Sequence, residues 1–145
     1  MALTWSTIKK GSRGEDVKFA QTLLSVICGF TLDRDGIYGD KTFAAVRYFQ
    51  RESDIFPDDG IVGPDTWSYL SPTLRTTTDP WGYNPYYIEH VVRRLKEDSF
   101  YLGAVTDKYT AAVAEGVKNF QRYYKLDVDG IWGKQCWRQW WKTWA

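Results

Sequence analysis

Six residues stand out for the chemistry that their types and spacing allow: Tyr38, Arg47, Gln50, Asp59, Gln121 and Trp132. Tyr38 and Trp132 each follow an Asp-Gly-Ile triplet and precede a glycine. That places each ring in a turn, where it could serve as a platform for a ligand or cover the neighbouring helix. Gln50 and Gln121 close helical segments and could bond the following loop backbone or reach a ligand. Arg47 lies between core positions of its helix and is expected to face solvent, free to pair with a carboxylate. Asp59 opens a turn and completes the set of candidate ligand-binding residues.

Residues that break bonds or hold metals are poorly placed. His90 is the sole histidine, and with Cys28 and Cys136 far apart it makes no zinc set. It falls off the Ile88, Val91, Leu95 face and reads as a surface histidine. There is no Gly-x-Ser-x-Gly elbow, and neither cysteine has a base near it in sequence. Two free thiols are favoured over a Cys28 to Cys136 bridge. Asp58-Asp59 and Glu52 with Asp54 are the carboxylate pairs that a glycosidase could use, and turn chemistry accounts better for the first. A calcium loop registered on Gly36 would put Thr31 at its first ligand position and Thr42 where a bidentate glutamate belongs. The chain is therefore expected to have no catalytic residue, no metal site and no cofactor.

The elements that position the six candidates come from a repeat. Asp35-Gly36-Ile37-Tyr38-Gly39 recurs as Asp59-Gly60-Ile61-Val62-Gly63 and as Asp129-Gly130-Ile131-Trp132-Gly133. Val46-Arg47-Tyr48-Phe49-Gln50-Arg51 answers Val117-Lys118-Asn119-Phe120-Gln121-Arg122, and Trp67 answers Trp137. A remaining turn at Asp107-Lys108-Tyr109-Thr110 lacks both glycines. In each turn both glycines are read as tolerating positive backbone angles, the isoleucine as pointing inward, and Asp40 as capping the next helix. Apolar residues at helical spacing, such as Val17, Ala20, Leu24 and Ile27, predict helices, and alternating strand patterns are scarce. The expected fold is all-α: two tandem small three-helix modules built on Asp-Gly-Ile-x-Gly turns. The first spans residues 1–72, a linker 73–84, and the second 85–145.

At 145 residues with 43% hydrophobic content, the chain is long enough to bury a core, and 17% aromatic content suggests that some rings face a ligand. Its formal charge of +1 recruits neither nucleic acid nor an acidic membrane surface. No stretch is long enough to span a bilayer and no signal peptide is visible. A monomer is expected. Trp137, Trp140, Trp141 and Trp144 would align as one stripe on a continuing helix, packing within the second copy or across to the first.

Gly14-Glu15-Asp16-Val17, Gln21, Leu24, the first turn, Thr42, Ala45-Val46, Phe49-Gln50 and Asp59-Gly60-Ile61-Val62-Gly63-Pro64-Asp65-Thr66-Trp67 together resemble the peptidoglycan-binding domain that accompanies bacterial cell-wall amidases, peptidases and muramidases. The second copy resembles it less closely, with Val92 where the first has Gln21. The resemblance implies a three-helix fold, peptidoglycan as partner through glycan or stem peptide, an associated cell-wall hydrolase, and an extracellular or cell-wall location. Tyr38 or Trp132 would then stack on a sugar, and Arg47 would meet a stem-peptide carboxylate. The alternative is a protein-interaction module docking through its tryptophan stripe.

Overall fold

The computed structural model describes residues 5–76 and 84–144, the last without its side chain. Its regular structure is six helices: α1 Glu15–Val26, α2 Asp40–Glu52, α3 Pro64–Leu70, α4 Pro85–Glu97, α5 Ala111–Tyr123 and α6 Lys134–Trp144. The only pairing outside helices among these residues is three isolated antiparallel bridges. The chain divides into two compact units, Met1–Ser71 and Pro72–Ala145. Each holds three helices.

The helix starts follow local chemistry. Asn84 Oδ1 accepts from Tyr87 N at 3.3 Å ahead of Pro85, where a missing amide donor costs nothing. Thr110 Oγ1 caps α5 by accepting from Val113 N at 3.1 Å. Helices α2 and α3 begin instead after Gly39 and Gly63, with no side-chain cap. Asp40 is not the cap expected of it: it is already helical and pairs with Lys10 at 2.5 Å.

In the first unit, Val17, Ala20, Leu23 and Leu24 of α1 are buried, and α1 contacts both α2 and α3. Phe19 stacks on Trp67 with ring centroids 5.6 Å apart. An extended segment before α1 closes this core. Ile8 exchanges backbone hydrogen bonds with Val62 at 3.2 and 2.8 Å, and Trp67 Nε1 donates to Ser6 O at 2.9 Å.

The second unit repeats the device. Leu74 exchanges hydrogen bonds with Trp132 at 3.0 and 2.8 Å, and Trp137 Nε1 donates to Pro72 O at 2.8 Å. Pro72-Thr73-Leu74 thus does for its unit what Ser6-Thr7-Ile8 does for the first. Of the segment expected to be a linker, Leu74 is a fully buried part of the second unit, while 77–83 lie outside the described residues. Pro72 carries a carbonyl that the tryptophan needs; its proline made it read as a breaker.

The tryptophan stripe packs inside this unit. Trp137, Trp140 and Trp141 are buried, and Trp137 meets Trp132 and Trp140 edge to face at 5.7 and 5.2 Å. Trp144 falls outside the described side chains. Both cysteines are free thiols, and burial pushes that of Cys136 up to about 12.

His90 is not the surface histidine expected from its position off the apolar face. Its ring lies 5.4 Å from that of Trp140, and its Nε2 accepts from Trp140 Nε1 at 3.1 Å, which requires an unprotonated nitrogen. Burial, with Arg94 nearby, lowers its pKa from 6.5 to about 4. Below pH 6.5 the unfolded chain takes a proton there that the folded chain refuses until about pH 4. Stability is therefore complete above that window and falls through it, by about 2 kcal/mol at most for a partly exposed ring. His90→Gln keeps an acceptor but does not titrate. Melting temperatures compared between about pH 7 and about pH 4.5 should fall less in this variant than in the wild type. Equal falls would refute the assignment.

Candidate ligand-binding site

Each Asp-Gly-Ile-x-Gly turn is pinned by one glutamine from a preceding helix. In the first, Gly36 N donates to Gln21 Oε1 at 2.9 Å, while Gln21 Nε2 donates to Ile37 O at 3.0 Å and Thr42 Oγ1 at 3.1 Å. In the second, Gly60 N donates to Gln50 Oε1 at 3.0 Å, and Gln50 Nε2 donates to Ile61 O at 3.0 Å and Thr66 Oγ1 at 3.1 Å. In the third, Gly130 N donates to Gln121 Oε1 at 3.0 Å, and Gln121 Nε2 reaches Ile131 O at 3.0 Å and Cys136 Sγ at 3.5 Å. The three glutamines are at most 2% exposed, so these bonds satisfy amides that would otherwise be costly to bury.

The rest of the turn follows from its backbone. Gly36, Gly60 and Gly130 have φ of 74°, 75° and 74°, the left-handed region that side chains resist. The aspartate before each accepts from the isoleucine amide after it, at 3.0, 3.0 and 2.9 Å. Those amide contacts hold the Asp35 carboxyl below the usual range. The second glycine needs no such freedom: Gly39 has φ −102° and Gly63 −96°, which corrects the expectation of positive angles at both.

After the first glycine the chain is extended, so successive side chains point to opposite sides. The variable residue is the one that turns inward. Tyr38, Val62 and Trp132 are at most 1% exposed, whereas Ile37 and Ile61 are 42% and 38% exposed. The isoleucine expected to point inward is the outward one, and of the two readings open for the ring, packing within the fold is the one that holds. Tyr38 donates its hydroxyl to Gly60 O, and Trp132 packs on Phe120 at 4.7 Å, so neither can stack on a sugar.

The diverged turn of the second unit explains itself by the register that sets Val46 opposite Val117. Gln21, Gly36 and Thr42 then answer to Val92, Asp107 and Val113. The clamping amide, the glycine it holds and the hydroxyl beside it are all replaced together. Tyr109 keeps the part of Tyr38: its hydroxyl donates to Gly130 O at 2.5 Å.

Of the remaining candidates, Gln50 and Gln121 are buried turn clamps and do not reach solvent. Arg47 is half-buried, donating from Nε to Asp58 O at 3.0 Å, with its guanidinium 5.8 Å from the Phe43 ring centre. It is already committed within the unit rather than facing solvent. Asp58 also meets Arg51 at 2.5 Å, and that pairing holds its carboxyl low. Asp59 is exposed, with one oxygen spent on Ile61 N. The structure brings Arg47, Gln50 and Asp59 near the second turn and leaves Gln121 and Trp132 in the other unit.

Residues missed from sequence lie at the first turn. A hollow of about 230 Å³ opens there, with Gln21 and Thr42 buried at its base and Asp33, Asp35 and Lys41 exposed around it. Its signal was present as Thr42 and Thr66, each three residues after the second glycine of a turn, with Cys136 in the third. Among the described residues no cluster of His, Cys, Asp or Glu could hold a metal, and no helix is long and apolar enough to cross a membrane.

The family model of a putative peptidoglycan binding domain matches residues 13–70 and 87–139. The chain is 35% identical over 150 residues to a probable N-acetylmuramoyl-L-alanine amidase of Bacillus licheniformis, covering 87% of this chain and 42% of that protein. It is 30% identical over 159 residues to the N-acetylmuramoyl-L-alanine amidase CwlL of the same species, covering 90% and 44%. Among solved structures, the SleB N-terminal domain is 35% identical, covering 48% of this chain and 93% of that one, with a TM-score of 0.44. The chain spans less than half the length of the two amidases.

The clamp is open to a stability test. Gln50→Leu leaves Gly60 N and Ile61 O without the partners shown above and should cost about 2–4 kcal/mol in urea unfolding of the first unit. A loss below about 1 kcal/mol would mean that the glutamine is dispensable to the turn.

Proposed function

This chain belongs to the peptidoglycan-binding domain family in both of its copies, and we propose that it serves, without catalysis of its own, to target or anchor a cell-wall lytic or remodelling activity to bacterial peptidoglycan. The observation that carries the reading is that the family match falls once in each compact unit, at residues 13–70 and 87–139. The partner is peptidoglycan, met at the cell wall or outside the cell, with a hydrolase domain as the activity served. The amidases that resemble the chain are more than twice its length, leaving room in such proteins for a separate catalytic part.

The rival reading needed an exposed tryptophan face. Among the described side chains of the stripe, Trp137, Trp140 and Trp141 are spent on the core of the second unit, which counts against it. Non-catalytic binding is supported by the kind of site present: shallow hollows rimmed by polar groups, with the titratable groups of the turns engaged in holding backbone. Two linked binding units raise avidity if both engage the polymer.

Co-sedimentation tests the reading. The chain should pellet with insoluble peptidoglycan in low and in moderate salt, because little net charge is available for salt-sensitive attraction. It should not clear a cell-wall suspension. Recovery in the supernatant at both salt concentrations would reject wall binding, and clearing would reject the non-catalytic assignment.

A further inference from the structure

The hollow beside the first turn holds groups that folding leaves unused. Gln21 spends its amide on the turn, and Asp35 spends Oδ1 on Ile37 N and on Gln21 Nε2 at 3.2 Å. Among the described residues Asp35 Oδ2 makes no side-chain hydrogen bond, although the Arg13 charge also favours the ionised carboxylate. Asp33 and Lys41 line the same hollow, and among the described residues neither enters an ion pair. Thr42 is 4% exposed, and its hydroxyl accepts from Gln21 at 3.1 Å. Thr42 lines the hollow, and among the described residues nothing accepts its proton. Ile37 and Leu32 add an apolar flank.

The second unit shows which of these groups the fold requires. In the same register, Asp33, Asp35, Lys41 and Thr42 answer to Ala104, Thr106, Ala112 and Val113. Helix α5 starts there all the same, capped by Thr110. The Asp33 carboxylate and the Lys41 ammonium are therefore additions to the fold, whereas Asp35 also holds the turn.

Their arrangement defines a ligand by complementarity. Two carboxylates accept from an ammonium; a buried hydroxyl and a lysine donate to a carbonyl or carboxylate; an apolar flank takes a short aliphatic stretch. The volume, about 230 Å³, equals roughly eight waters at about 30 Å³ each, the size of one amino-acid fragment. We propose that this hollow binds the free amino group, with its adjoining carbonyl or carboxylate, of a diamino acid in an uncross-linked stem peptide. The inference rests on the peptidoglycan-binding reading and assigns the first unit to stem peptide at ends not yet joined.

Soluble muropeptides released by a muramidase, with free amines, provide the probe, and the same muropeptides after N-acetylation provide the comparison. Titrated into the isotope-labelled full chain, the free-amine form should shift backbone amides of residues 33–42 and leave 104–113 unmoved. N-acetylation should weaken binding about tenfold, the effect expected for losing a charge-assisted bond. Asp33→Asn should weaken it similarly with no change in melting temperature, since among the described residues Asp33 makes no hydrogen bond or ion pair. Shifts confined to other residues, equal affinity after acetylation, or an unaffected Asp33→Asn variant would each overturn the proposal. If the chain still pellets with insoluble peptidoglycan in that case, only this site is lost. If it does not pellet, the broader reading falls as well.

Discussion

A buried primary amide brings two donors and an acceptor oxygen into a place without water, and each must find a partner. A turn that passes through a left-handed glycine exposes the complementary groups: one inward N–H and, one residue on, one inward C=O. The repeated unit of this protein is the meeting of those two demands. Gln21, Gln50 and Gln121 each take the glycine amide on Oε1 and give Nε2 to the carbonyl after it. Neither partner is stable in its buried place without the other. This also explains why the clamp is absent as a whole at the fourth turn, where Val92 and Val113 fill with hydrocarbon the space that Gln21 and Thr42 fill with polar bonds. Half of such a network would be worse than none.

How the turn is oriented decides what can touch a ligand. With the glycine amide and the following carbonyl directed at the glutamine, the extended residue after isoleucine faces the core, and its side chain becomes part of the packing. Tyr38 adds a hydroxyl bond to Gly60 O, and Tyr109 does the same for Gly130 O. The first turn of each unit is thereby tied to the glycine of its second. The outward surface is left to the aspartate, the isoleucine and the residues on either side of the turn.

Periodicity and repetition carried the helices, their order and the pairing of the two copies, because burial on one face leaves a spacing in sequence. Side-chain direction within the turn was not legible in the same way. A five-residue motif with two glycines has no period, and either alternation of Ile37 and Tyr38 is consistent with the letters; only the bridges to Arg13, Ile8 and Leu74 settle the side. The strap of the second unit was hidden for a related reason. Pro72 and Thr73 read as loop, and their value lies in a carbonyl for Trp137 and a backbone edge for Trp132, properties that every residue has. The burial of His90 is not legible in its own helix because the surface it joins is completed by Trp140, fifty positions on.

Divergence between the copies separates folding from recognition at the first turn. Replacing Gln21, Gly36 and Thr42 by Val92, Asp107 and Val113 is one structural change, since the three act on one another. Nothing in that change requires Asp33 and Lys41, on the solvent side, to become Ala104 and Ala112. An apolar clamp tolerates charged neighbours in water as readily as a polar one does. Two sets of residues on opposite sides of the same turn have therefore changed, and packing accounts only for the inner one. The outer set is thus where the two units, alike in fold, present different chemistry to solvent.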